Sequence, residues 1–119
     1  MNVKWKMMKL KVRRKMEISQ AQKQVDEFII KHGGYWEPLS MMARITEELG
    51  ELARAMNIKH GGKKSKFEGD GRDVEQELAD VLFTLLAIAN KEGIDLEKEF
   101  CGKIGIDYEK CKGVYDNGN

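Results

Sequence analysis

Between Leu78 and Ala89 only Asp80 and Thr84 are polar, and this run constrains the fold more than any other stretch. At helical spacing it is apolar nearly all round, so it reads as a helix from about Asp73 to Asn90, buried on most of its sides. The chain has 119 residues, one domain's worth. A domain of four helices cannot easily bury such a helix alone, so part of it is expected in a subunit interface.

The remaining pattern is helical too. A single proline and few β-branched residues in the periodic stretches favour helix over sheet. Ser19 and Gln22 fit a capping box with Ile18 at the staple position, and Ala21, Val25, Phe28 and Ile29 follow on one face up to Gly33-Gly34. Pro38 suits the first position of a second helix, whose stripe is Leu39, Met42, Ile45, Leu49, Leu52 and Met56, ending by His60. Asp95 caps a short fourth helix that Gly102 and Gly105 break. Residues 1–15 form a separate basic arm, and residues 16–119 the helical domain.

Charge and composition narrow the function classes. Charged residues are 34% and hydrophobic residues 41% of the chain, a globular balance. Net charge is +1, so nucleic acid is not an expected partner, although a basic arm can touch it. No apolar run approaches the roughly 20 residues of a membrane span, and the arm lacks the apolar core of a signal peptide. Cys101 and Cys111 have no zinc-ligand spacing and read as two free thiols. The expected location is therefore the cytoplasm.

The carboxylates carry the chemistry. Glu48 stands at the border of the second helix's stripe, and Glu51 is one turn on, about 60° further round. Glu47 lies about 40° from Glu51. Glu77 and Asp80 repeat the i, i+3 arrangement on the third helix. Asp80 sits between Ala79 and Val81 in the apolar run, with no lysine or arginine within a turn on its own helix. A buried carboxylate needs a cation or strong donors, which Arg44 or Arg54 of another helix can also supply. Two helices each offering an acid pair beside an apolar stripe is how bundles build carboxylate metal sites, so Glu48, Glu51, Glu77 and Asp80 are expected to form one.

All-oxygen ligation indicates a hard cation, magnesium or manganese in its place. His32 and His60 adjoin glycine pairs at helix ends, where dipole contacts explain them. Magnesium usually takes one or two carboxylates plus water and phosphate, so this many acids suggest more than one ion and chemistry at phosphorus. Residues 61–72 are a Gly- and Lys-rich loop, either a plain connector or a phosphate clamp acting through Lys63, Lys64 or Lys66.

Glu47-Glu48-Leu49-Gly50-Glu51 followed by Glu77-Leu78-Ala79-Asp80 reads EExxE…ExxD. With its context from about Glu17 to Phe100, this resembles the MazG-like nucleotide pyrophosphohydrolases, an all-α superfamily. The resemblance implies a four-helix MazG-like bundle, completed as a homodimer or homotetramer. It also implies magnesium-dependent hydrolysis of nucleoside triphosphates to monophosphate and pyrophosphate. By position, Glu48, Glu51, Glu77 and Asp80 would be metal ligands, and Glu47 would serve a further metal or orient the attacking water. Tyr35 and Trp36 stand where such proteins tend to hold the base, or they simply seal the end of the bundle. Arg44, one turn before Glu48, would contact phosphate or pair with Glu47 or Glu48. Two other readings remain open: a phosphoribosyl-ATP pyrophosphohydrolase of histidine biosynthesis, and a non-catalytic helical interaction module with a structural metal. The tail after Phe100 lacks the arginine- and lysine-rich ending often found in such proteins.

Overall fold

A computed structural model of the chain describes residues 15–62, 73–109 and 111. The basic arm, apart from Lys15, lies outside these residues, as do Lys63, Lys64 and Lys66 of the loop and the tail beyond 111. The described residues hold four helices and no strand: α1 (Ile18–Lys31), α2 (Pro38–Lys59), α3 (Val74–Lys91) and α4 (Leu96–Lys103). The expected all-α bundle is what forms.

Each helix start has a local cause. Glu37 is extended, and Pro38, with φ already set and no N–H to satisfy, opens α2. Asp73 accepts from Gln76 N (2.9 Å), and Gln76 Oε1 accepts from Asp73 N (3.3 Å), a reciprocal cap for α3. Asp95 accepts from Lys98 N (3.1 Å) to start α4. At α1 the expected Ser19–Gln22 box does not form. Ser19 is inside the helix, Glu17 is the cap, and its N–H donates to Gln20 Oε1 (2.9 Å). A glutamine at the third helical position reaches back as well as one three residues after Ser19, so the pattern was shifted by two.

Gln22, thereby released, is a tertiary tie. Its Nε2 donates to Asn90 Oδ1 (3.0 Å) and Ile94 O (2.9 Å), and its Oε1 accepts from Leu96 N (3.0 Å). One side chain of α1 thus holds the end of α3 and the start of α4. Gly33 and Gly34, at φ +110° and +94°, turn the chain out of α1 in a region that other residues rarely adopt. The fourth helix runs through Gly102 to Lys103, so only Gly105 of the two expected breakers lies outside it.

Helix α3 is central, packed against α2 and α1, while α4 rests on α1. Val25, Met41, Leu86 and Ala87 form the core cluster, flanked by Ile18, Ala21, Ile29, Tyr35, Ile88 and Leu96. Burying side chains of this size stabilises by about 1.5–3 kcal/mol each. The single chain does not cover α3 all round: Leu78 and Leu82 remain about half exposed, as do Met42 and Leu49 of α2. Cys101, fully buried, is joined to Cys111 by a disulfide. This corrects the expectation of two free thiols. Spacing alone could not show that the turn after Gly105 returns Cys111 to α4, where Tyr108 also donates to Asp95 Oδ2 (3.0 Å). No helix among the described residues is long and apolar enough to cross a membrane.

Candidate metal centre

The face where α2 meets α3 is acidic. Glu48 and Glu51 are separated by one turn of α2, and Glu77 approaches from α3. One carboxylate oxygen from each lies within 4.8 Å of those of the other two. Glu48 and Glu77 are each only 3% exposed, and Glu51 faces solvent. Three carboxylates converging from two helices make an all-oxygen donor set.

Glu48 shows what this donor set lacks. Its Oε1 accepts from Arg44 Nε at 2.6 Å, one turn earlier on α2. Its Oε2 is buried and has no hydrogen-bond partner among the described residues. Leaving a buried polar atom unsatisfied costs about 1–3 kcal/mol, and more when it carries charge. A divalent cation held by the three carboxylates would give such an oxygen a partner, and hard cations take such ligands. The residues therefore fit the ion that the sequence suggested. The Arg44 guanidinium is held cationic by the Glu48 hydrogen bond, which pushes its pKa up.

Beside the acids opens a cleft of about 490 Å³, lined by residues of α1, the turn after it, α2 and α3. Glu48, Asp80 and Arg44 line it, so it is continuous with the acidic face. Its other walls are aromatic: Phe28, His32, Tyr35, Trp36 and Phe83. Phe28 and His32 stack at 4.2 Å, and Phe83 meets Phe28 edge-on at 5.6 Å. The Arg44 guanidinium stands 5.9 Å from the Trp36 ring centroid, within cation–π reach. Arg44 therefore links the aromatic and acidic halves.

The expected site residues divide as follows. Glu48, Glu51 and Glu77 come together. Asp80 is outside that trio and half-buried, but lines the cleft beside Glu48. The most buried acids are Glu48 and Glu77, not the Asp80 that the apolar run had singled out. Helix α3 leaves part of the Asp80 side open as the cleft. Glu47 is exposed and lines neither the trio nor the cleft. Tyr35, Trp36 and Arg44 all line the cleft, with Arg44 paired to Glu48 as one reading had it. Lys63 and Lys64 lie outside the described residues. Phe28, His32, Phe83 and the buried Thr84 are cleft residues that the sequence did not reveal as such. The i, i+4 spacing of Phe28 and His32 was a usable signal. His32 does serve its helix end, its ring Nδ1 lying 2.8 Å from Phe28 O, and it lines the cleft as well.

Comparison with known proteins bears on the fold and the family. Residues 36–105 match the family model of the MazG nucleotide pyrophosphohydrolase domain. Over 78 residues the chain is 49% identical to the uncharacterized protein YpjD of Bacillus subtilis (strain 168), a stretch covering 65% of this chain and 70% of that one. The crystal structure of YpjD from Bacillus subtilis is similar with a TM-score of 0.67 at 41% identity, covering 77% of this chain and 95% of the other. That of the Bacillus-conserved MazG protein, a nucleotide pyrophosphohydrolase, is similar with a TM-score of 0.65 at 40% identity, covering 77% and 89%.

Proposed function

This chain belongs to the MazG nucleotide pyrophosphohydrolase family, enzymes that hydrolyse phosphoric anhydrides, and on that premise we propose that it converts nucleoside triphosphates to monophosphate and pyrophosphate with magnesium. One observation carries the reading. Glu48, whose buried Oε2 has no hydrogen-bond partner among the described residues, belongs to an acidic trio that adjoins an aromatic cleft large enough for a nucleoside.

Glu48, Glu51 and Glu77 would hold the cation, and Asp80 would serve it from the cleft side. When bound, the cation supplies neutralisation of the phosphate chain and acidifies the attacking water. The base stacks in the cleft against Trp36 and Tyr35, and the triphosphate runs toward the acids. Arg44 stands between the two, placed to contact phosphate without leaving Glu48 unsupported. Glu47, exposed on the same helix, is the residue proposed to orient water for attack on the α-phosphorus. Lys63 and Lys64, outside the described residues, are proposed phosphate clamps.

The apolar side chains that α2 and α3 leave exposed favour a homodimer or homotetramer. Nucleotide chemistry favours the cytoplasm. The Cys101–Cys111 disulfide weighs the other way, since cytosolic thiols are usually reduced. Incubation with a panel of nucleoside triphosphates and phosphoribosyl-ATP, with magnesium or manganese, and an assay for pyrophosphate tests the reaction. Turnover of phosphoribosyl-ATP alone would reassign the substrate. A magnesium-dependent rise in melting temperature with no pyrophosphate from any member would leave only a structural metal site.

A further inference from the structure

Tyr35 lines the aromatic cleft, yet its hydroxyl is engaged away from it. That O–H donates to Asp26 Oδ1 of α1 in a short hydrogen bond. Burial raises the Tyr35 pKa and the Asp26 bond raises it further.

Such a bond fixes an aromatic wall more firmly than packing alone can. Tyr35 sits just past Gly33-Gly34, its ring flanking the core cluster and its hydroxyl tied to Asp26 of α1. Its O–H is committed to a carboxylate, a strong acceptor. A bound base would therefore meet an aromatic surface at this wall rather than a free hydroxyl.

We propose that Asp26 is a positioning residue for the nucleotide: by holding the Tyr35 hydroxyl it fixes one aromatic wall of the cleft, and its effect is exerted wholly through that hydroxyl. This rests on the cleft being the nucleotide site.

The test is a double-substitution cycle on the full-length protein, with steady-state pyrophosphate release as readout and the best substrate from the panel. Asp26→Ala should raise KM by about three- to tenfold, the range expected for losing one such hydrogen bond, with kcat changed less than about twofold. Tyr35→Phe should raise KM by a similar factor. Asp26→Ala made in the Tyr35→Phe background should add nothing measurable, because the group it acts through is already gone. Asp26→Asn, which keeps an acceptor oxygen, should restore most of the wild-type KM. Should Asp26→Ala fail to fold, Tyr35→Phe carries the test alone, and an unchanged KM in it would overturn the proposal. An unchanged KM in Asp26→Ala would overturn the proposal, as would a KM effect that persists undiminished without the Tyr35 hydroxyl. A loss confined to kcat would overturn it too. Wild-type protein that releases no pyrophosphate from any nucleotide would instead refute the proposed function, a result recognisable before any variant is made.

Discussion

Glu48→Gln separates a metal ligand from a mere salt-bridge partner. Glutamine keeps the shape and leaves an acceptor at Oε1 for Arg44. It replaces the partnerless Oε2 with an N–H₂ donor in a residue that has a carboxylate oxygen within 4.8 Å of one on Glu51 and one on Glu77. In the metal-free protein this removes a buried charge and one source of repulsion, a gain of about 1–3 kcal/mol. The charge-assisted bond to Arg44 becomes an ordinary one. Because the Arg44 side chain is 50% exposed and screened by water, that loss is at most about 1 kcal/mol. The net is about 0–3 kcal/mol in favour of the variant, a rise in metal-free melting temperature of up to about 12 °C for a domain of this size. Magnesium at a hundred times its Kd should stabilise wild type by about 2.7 kcal/mol, and Glu48→Gln should lose most of that response along with turnover. Thermal unfolding with and without magnesium, paired with pyrophosphate release, measures both halves. A variant less stable than wild type without metal, with the magnesium response intact, would show that Glu48 serves Arg44 and not a cation.

Glu51→Ala and Asp80→Ala should each abolish pyrophosphate release while far-UV circular dichroism shows the helices intact, and wild-type turnover in either would reject that residue as a ligand. Leu82→Glu, on the exposed side of α3, should shift the protein toward monomer in sedimentation at micromolar concentration, whereas a wild type that is already monomeric there would refute the assembly. Deleting residues 1–15 should leave kcat/KM within a few-fold of wild type, and loss of turnover would show that the arm completes the site.

The fold was legible because the local signals agreed with one another. Pro38 at a helix start, Asp95 at another, Gly33-Gly34 at an end and an apolar stripe on each helix all place elements where they form. The approach of Glu48, Glu51 and Glu77 was legible for the same reason, since spacing on a helix fixes direction. What spacing could not give is depth. Asp80 stood out because its neighbours in sequence are apolar, but burial depends on the facing helix. There Glu48 and Glu77 are covered and Asp80 is left at the cleft. The Gln22 tie, the Asp26–Tyr35 bond and the Cys101–Cys111 pairing join residues on different elements or across a turn, and no periodicity encodes them. The aromatic cleft was half legible. Tyr35 and Trp36 were found by position, but Phe28 and Phe83 read as core residues until the gap between α1 and α3 was seen.

The placement of acids and apolar stripes on α2 and α3 bears on why a chain like this one would assemble. On α2 the exposed Met42, Leu49 and Met56 lie roughly 100° round from Glu48, and on α3 the exposed Leu78, Leu82 and Leu85 lie roughly 100° round from Glu77. Each helix thus presents its acid to the other and its apolar stripe elsewhere. Without a cation, three carboxylates at the α2–α3 contact push these helices apart, against the buried apolar side chains of the two helices, Ile45, Ala55 and Val81 among them. Covering the outer stripes with a second copy would hold both helices from outside. It would resist that separation without placing any apolar bulk where the cation and the phosphates must enter. On this argument assembly and metal binding stabilise the same α2–α3 geometry, so each should strengthen the other. Magnesium should then tighten the assembly, and the sedimentation of a partly dissociated variant such as Leu82→Glu should move back toward the oligomer when magnesium is added. A dissociation constant indifferent to magnesium would show that the outer stripes and the acidic face act independently.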